Sequence, residues 1–128
     1  WDLGAGGGPP ARSLEAHDGL LTAVALNWSG RRALTGGDDR MLKLWDLGTG
    51  KAVWEVALKT GATCLDADWA TEYALCGCES GELVLCDLSS GATVRELAGH
   101  NEAVRCLRLD AASSRALSGG ADGRVALW

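Results

Sequence analysis

The residues best equipped for chemistry are Ser118, His100 and Asp122, which supply a hydroxyl, an imidazole and a carboxylate. These are the ingredients of a hydrolytic triad. A second set, Thr35, His17 and Asp39, occurs earlier in the chain with the same internal offsets. That the set occurs in two separate units argues against a catalytic centre. So does the setting of the hydroxyl, which falls inside a strand-like run ("RALTG", "RALSG") and not on a sharp strand-to-helix turn. The other reactive side chains are five cysteines: Cys64, Cys76, Cys78, Cys86 and Cys106. Their number is odd, no CxxC pair is present, and no Cys–His cluster has zinc spacing. Each sits in an apolar run where a small side chain fits, so the expectation is reduced, buried thiols in a reducing compartment. Cys76-Gly77-Cys78 is the one arrangement that a redox or metal pair could use. GxxxxGK followed by Ser or Thr, HExxH and GxSxG are all missing, and no cofactor or metal is implied.

The elements that must position these groups repeat along the chain. "GGDDRMLKLWDLGTG" (36–50) is echoed by "GCESGELVLCDLSSG" (77–91) and "GGADGRVALW" (119–128). The anchors Trp1, Trp45, Cys86 and Trp128 are almost evenly spaced. Their period lies within the range of about 40 to 45 residues that suits a four-stranded propeller blade. Within one period, short apolar runs alternate with turns. The first unit reads "TAVAL" (22–26), "RALTG" (32–36), "MLKLWD" (41–46) and "KAVWEVA" (51–57). The second reads "TCLDAD" (63–68), "YALCG" (73–77), "ELVLCD" (82–87) and "ATVREL" (92–97), and the third "VRCLRL" (104–109), "RALSG" (115–119) and "RVALW" (124–128). Alternation with a turn about every 8 to 12 residues predicts antiparallel β structure. "PARSLE" (10–15) is expected to be the outer strand of a preceding unit.

With "AHDGLL" (16–21), "GHNEAV" (99–104), Trp45-Asp46 and Trp128, the chain resembles the WD-repeat family. His17 precedes Trp45 by the same interval as His100 precedes Trp128. The resemblance covers essentially all 128 residues. It implies an all-β fold of antiparallel, four-stranded β-propeller blades, here a partial ring of about three. The expected units are 1–15, the end of a preceding repeat with its outer strand; 16–57, a first blade; 58–97, a degenerate second blade; and 98–128, a third blade lacking its last strand. The resemblance further implies two hydrogen-bonded tetrads: His17, Thr35, Asp39 and Trp45, then His100, Ser118, Asp122 and Trp128. An indole N–H needs an acceptor, a hydroxyl supplies one, and the hydroxyl can in turn donate to the imidazole. In the second unit Cys76, Ser80 and Cys86 stand where Ser/Thr, Asp and Trp are expected, and "LKTGA" (58–62) contains no His. The tetrad is therefore expected to be absent there.

By the same resemblance, the chain is a non-catalytic scaffold whose loops meet protein or peptide partners. The alternative is a regulatory propeller attached to a nucleotide-hydrolysing or kinase domain elsewhere in a longer chain. The candidate contact residues are Asp18, Asp38, Lys59, Glu79, Asn101, Glu102 and Arg105. Most are acidic or neutral, which points to a basic peptide. The remaining blades of a longer chain, or further copies of this one, would complete the ring. Net charge is −5 with no Lys/Arg run, so nucleic acid and anionic membrane are poor partners. No apolar run approaches the length of about 18 residues that suggests a membrane span. The location expected is intracellular, in cytoplasm or nucleus.

Overall fold

The computed structural model describes Gly6, Pro10 and residues 12–128. Trp1, Asp2 and Gly4 lie outside the described residues, as does most of the sequence before Arg12. Among the described residues there is no helix, and the chain forms three antiparallel sheets, two of four strands and one of three. The first holds β1 (Leu21–Asn27), β2 (Arg32–Gly37), β3 (Met41–Asp46) and β4 (Lys51–Ala57) in sequence order. The second holds β5 (Ala62–Asp68), β6 (Tyr73–Cys78), β7 (Glu82–Asp87) and β8 (Thr93–Ala98), and the third β9 (Val104–Asp110), β10 (Arg115–Gly120) and β11 (Val125–Leu127). Three sheets built on one meander are partial β-propeller blades.

Alternation along each strand sends one set of side chains forward to the next blade and the other set back. Leu34, Leu42 and Leu44 of the first blade pack with Leu58, Ala74, Cys76 and Cys86 of the second. Leu75 and Leu83 point the other way, into a second core with Val104, Leu107 and Ala116. Gly36 and Gly77, which close the strand runs "RALTG" and "YALCG", let the next inner strand approach. A Cβ at Gly36 would lie 2.7 Å from the Ala62 methyl, and one at Gly77 2.7 Å from Val104 Cγ1.

Neighbouring inner strands are also bonded side chain to backbone. The Thr22 hydroxyl donates to the Ala62 carbonyl at 2.5 Å, and one repeat on the Thr63 hydroxyl donates to the Val104 carbonyl at 2.5 Å. Arg105 holds the same position in the third blade: like Thr22 and Thr63 it sits at the register shift near the strand entry, where no residue of the second strand opposes it.

Residues 12–17 form no ladder, so the strand expected at 10–15 is not formed among its described residues. The segment nevertheless packs as an outer strand would. Gly50 lies against Arg12 and Leu14 just as Gly91, its equivalent in the next repeat, lies against Trp54 and Val56 of β4. The cysteines differ from expectation at two positions. All five are free, and Cys76, Cys78 and Cys86 are buried, but Cys64 is only partly covered and Cys106 is exposed. Cys64 sits beneath Val104 of the next blade, and no described strand takes that position over Cys106.

Candidate functional site

Each His enters the sheet from the loop before an inner strand, where it meets the end of the second strand of its own blade. His17 Nδ1 is 2.8 Å from Asp39 Oδ1, and its Nε2 is 2.8 Å from Thr35 Oγ1. Trp45 Nε1 donates to the same Thr35 oxygen at 2.9 Å. In the third blade, His100 Nδ1 lies 3.1 Å from Asp122 Oδ1 and Nε2 2.8 Å from Ser118 Oγ, while Trp128 Nε1 donates to Ser118 at 2.9 Å. The direction of every bond follows from the donors available. A carboxylate only accepts, so Nδ1 carries the proton; Nε2 then accepts from the hydroxyl, whose oxygen accepts from the indole. Gly37 and Gly120 make room for the ring, since a Cβ there would lie 2.8 Å and 2.4 Å from the respective imidazole Nδ1.

The carboxylates also hold the loops. Asp39 accepts from the Met41 N–H at 3.1 Å and the Asp18 N–H at 3.2 Å, and Asp122 accepts from those of Asn101 and Arg124 at 3.0 and 3.1 Å. Burial pushes the Asp39 carboxyl up, but bonds from His17, Met41 and Asp18 outweigh it and leave the group below its ordinary range. Asp122 is also lowered, first by the Asn101 N–H, against burial, and then by His100 and Arg124. A triad needs an accessible hydroxyl. Ser118 is 1% exposed and Thr35 7%, and both oxygens are already engaged by an indole.

In the second blade the four positions are apolar or small. Leu58 stands at the same offsets before Cys76, Ser80 and Cys86 as His17 does before Thr35, Asp39 and Trp45. Leu58, Cys76 and Cys86 join the core between the first two blades. Burial raises the Cys86 thiol to about 11. Ser80 keeps a 3.2 Å bond from Thr60 Oγ1 at the surface. The polar network is thus exchanged for packing as a unit, which leaves no donor stranded.

The loops carrying the contact candidates gather at one end of the blades. Backbone bonds tie each loop before an inner strand to the second turn of its blade: Asp38 N to Leu20 O, Glu79 N to Gly61 O, and Ala121 N to Ala103 O. Asp18, Asp38, Lys59, Glu79, Asn101 and Glu102 are all exposed there. Lys59 is bound to Glu96 of β8 at 2.5 Å. Arg105 is exposed on the inner strand, and Arg108 donates to the Leu107 carbonyl; neither pairs with an acid among the described residues. Among the described residues no cluster of His, Cys, Asp and Glu is arranged to hold a metal.

One contact was not foreseen from the sequence. Arg32 of the first blade reaches the turn after β5, where its guanidinium meets the Glu72 carboxylate at 2.6 and 3.0 Å and lies 5.2 Å from the Trp69 ring. The separation of Arg32 and Glu72, close to one repeat, was the available signal.

The WD domain, G-beta repeat family model matches residues 8–46 and 91–128, more than half of the chain. The stretch between them contains the blade in which the His, Ser/Thr, Asp and Trp positions are replaced. A stretch of 44 residues, 34% of this chain and 6% of the relative, is 41% identical to ribosome biogenesis protein erb1 of Neurospora crassa. Similar matches are found to ERB1 of Chaetomium thermophilum (43% over 42 residues, 33% of this chain and 5% of the relative) and to erb1 of Botryotinia fuckeliana (40% over 42 residues, 33% and 6%). The matches thus span only a small part of these relatives' length. The repeated sheets, the recurring His–hydroxyl–Trp geometry and the extent of the model match place the chain in the WD-repeat family.

Proposed function

We propose that the chain is a non-catalytic interaction scaffold, part of a WD-repeat propeller that presents its loop end to a protein or peptide partner. One observation carries this reading. Among the described residues, the only side-chain sets suited to catalysis are saturated and buried, whereas Asp18, Asp38, Glu79, Asn101 and Glu102 are solvent-exposed together at one end. The charge there favours a basic segment. The similarity to ribosome biogenesis proteins favours a role in that process, and hence a nuclear setting. The test is fluorescence anisotropy with a labelled Lys/Arg-rich peptide and a Glu/Asp-rich control. Binding of the basic peptide alone, weakened by salt and by Glu79→Lys with Glu102→Lys, is expected. Equal binding of both peptides, or none, would refute it.

A further inference from the structure

We propose that the corner of the first blade formed by Trp28 and Arg31 docks an acidic residue at the start of the second strand of the preceding blade in the same ring, and that it rejects a second copy of this chain.

The second blade supplies the template. Its corner residues Trp69 and Glu72 occupy the positions of Trp28 and Arg31 one repeat later. Arg31 and Glu72 share the left-handed backbone conformation, with φ of 50° and 60°. On the second blade this corner is covered by Arg32, the first residue of β2, stacked on Trp69 and bound to Glu72. On the first blade Trp28 is 77% exposed. It borders an open concavity of about 400 Å³ lined by Arg12, Trp28, Arg31, Leu47 and Gly48.

The chain itself shows what belongs there. Trp54 of β4 donates to the Leu88 carbonyl at 2.8 Å, and one repeat earlier Arg12 donates to the Leu47 carbonyl at 3.0 Å. Residues 12–14 therefore lie on the first blade where β4 lies on the second, and they form the outer edge of a preceding blade. The rest of that blade brings its own counterpart of Arg32 over Trp28. The charge at this corner is reversed: Glu72 receives a cation, whereas Arg31 with Arg12 nearby calls for a carboxylate. No acidic group lies within ion-pair distance of Arg12 or Arg31 among the described residues.

A second copy docked head to tail would fail this requirement. Its last blade presents Arg115, the first residue of β10 and the counterpart of Arg32, to Arg31. Like charges so juxtaposed oppose association and select against the wrong partner.

The test is a charge-swap cycle read as self-association of the whole chain by light scattering at low and high salt. The proteins are the unaltered chain, Arg31→Glu, Arg115→Glu and the double variant. Arg31→Glu carries most weight, because Glu72 already occupies the equivalent backbone position, whereas Arg115→Glu also faces Asp110 across β9–β10. Each single variant should associate roughly three- to tenfold more tightly than the unaltered chain at low salt, through one new surface pair. The double variant should return to the unaltered value, and high salt should remove the differences. Four proteins with the same association constant, or an unaltered chain that associates as tightly as the single variants, would overturn the proposal.

Discussion

Removing the Asp39 carboxylate tests how the His–hydroxyl–Trp network contributes to the fold. Asp39→Ala leaves three N–H groups without their acceptor. Those of Met41 and Asp18 lie near the surface and can turn to water. The His17 Nδ1–H cannot, because its side chain is 1% exposed. A buried donor without a partner costs about 1–3 kcal/mol, and this dominates the loss. Ser80 holds the same position in the second blade but makes only exposed side-chain bonds, from Thr60 Oγ1 and a long one from the Glu82 N–H, so Ser80→Ala should cost less than about 0.5 kcal/mol. Urea unfolding followed by tryptophan fluorescence separates the two. With a slope of roughly 2 kcal/mol per molar, a loss of about 2 kcal/mol moves the Asp39→Ala midpoint down by about 1 M, and the Ser80→Ala midpoint moves by less than about 0.3 M. Equal shifts at unchanged slope would refute the reasoning, since they would mean that the network contributes nothing beyond its turn.

Other perturbations follow from the same geometry. The Asp39 and Asp122 carboxyls are lowered in the folded state, so their contribution is complete above the unfolded carboxyl range near pH 3.9 and is lost as pH falls through the folded values. An acid titration should therefore show the native chain destabilised below about pH 4, with a shallower slope in Asp39→Ala; matching slopes would contradict this. Gly77→Ala would place a Cβ 2.7 Å from Val104 and should cost about 1–3 kcal/mol in chemical unfolding. Gly119→Ala, at the same place in the third blade, meets only Cys106 Sγ at 2.9 Å and should cost less. Arg32→Ala removes a partly exposed ion pair and a cation–π contact, for roughly 1 kcal/mol, and the difference should shrink in high salt.

Periodicity alone determined the class of structure. The even spacing of the Trp and Cys anchors, the alternating runs and the placement of turns specify antiparallel blades, because register and face follow directly from a two-residue period. The tetrad positions came from the resemblance to the WD-repeat family, carried onto His17, Thr35, Asp39 and Trp45, whose offsets recur in the third blade. What the sequence did not show lies between blades. Thr22, Arg32, Gly36, Thr63 and Gly77 all fall in strand runs, and nothing in those runs marks a role between blades. Each acquires its role only when the next sheet is stacked at a fixed distance, which depends on the packing of whole faces and not on local propensity. Exposure of Cys106, despite a sequence setting like that of Cys64, has the same origin: burial of a blade face is decided by the neighbour laid over it. The tertiary structure likewise shows residues 12–14 occupying an outer-strand position without ladder bonds, because side-chain packing on Gly50 and the Arg12–Leu47 bond hold them there.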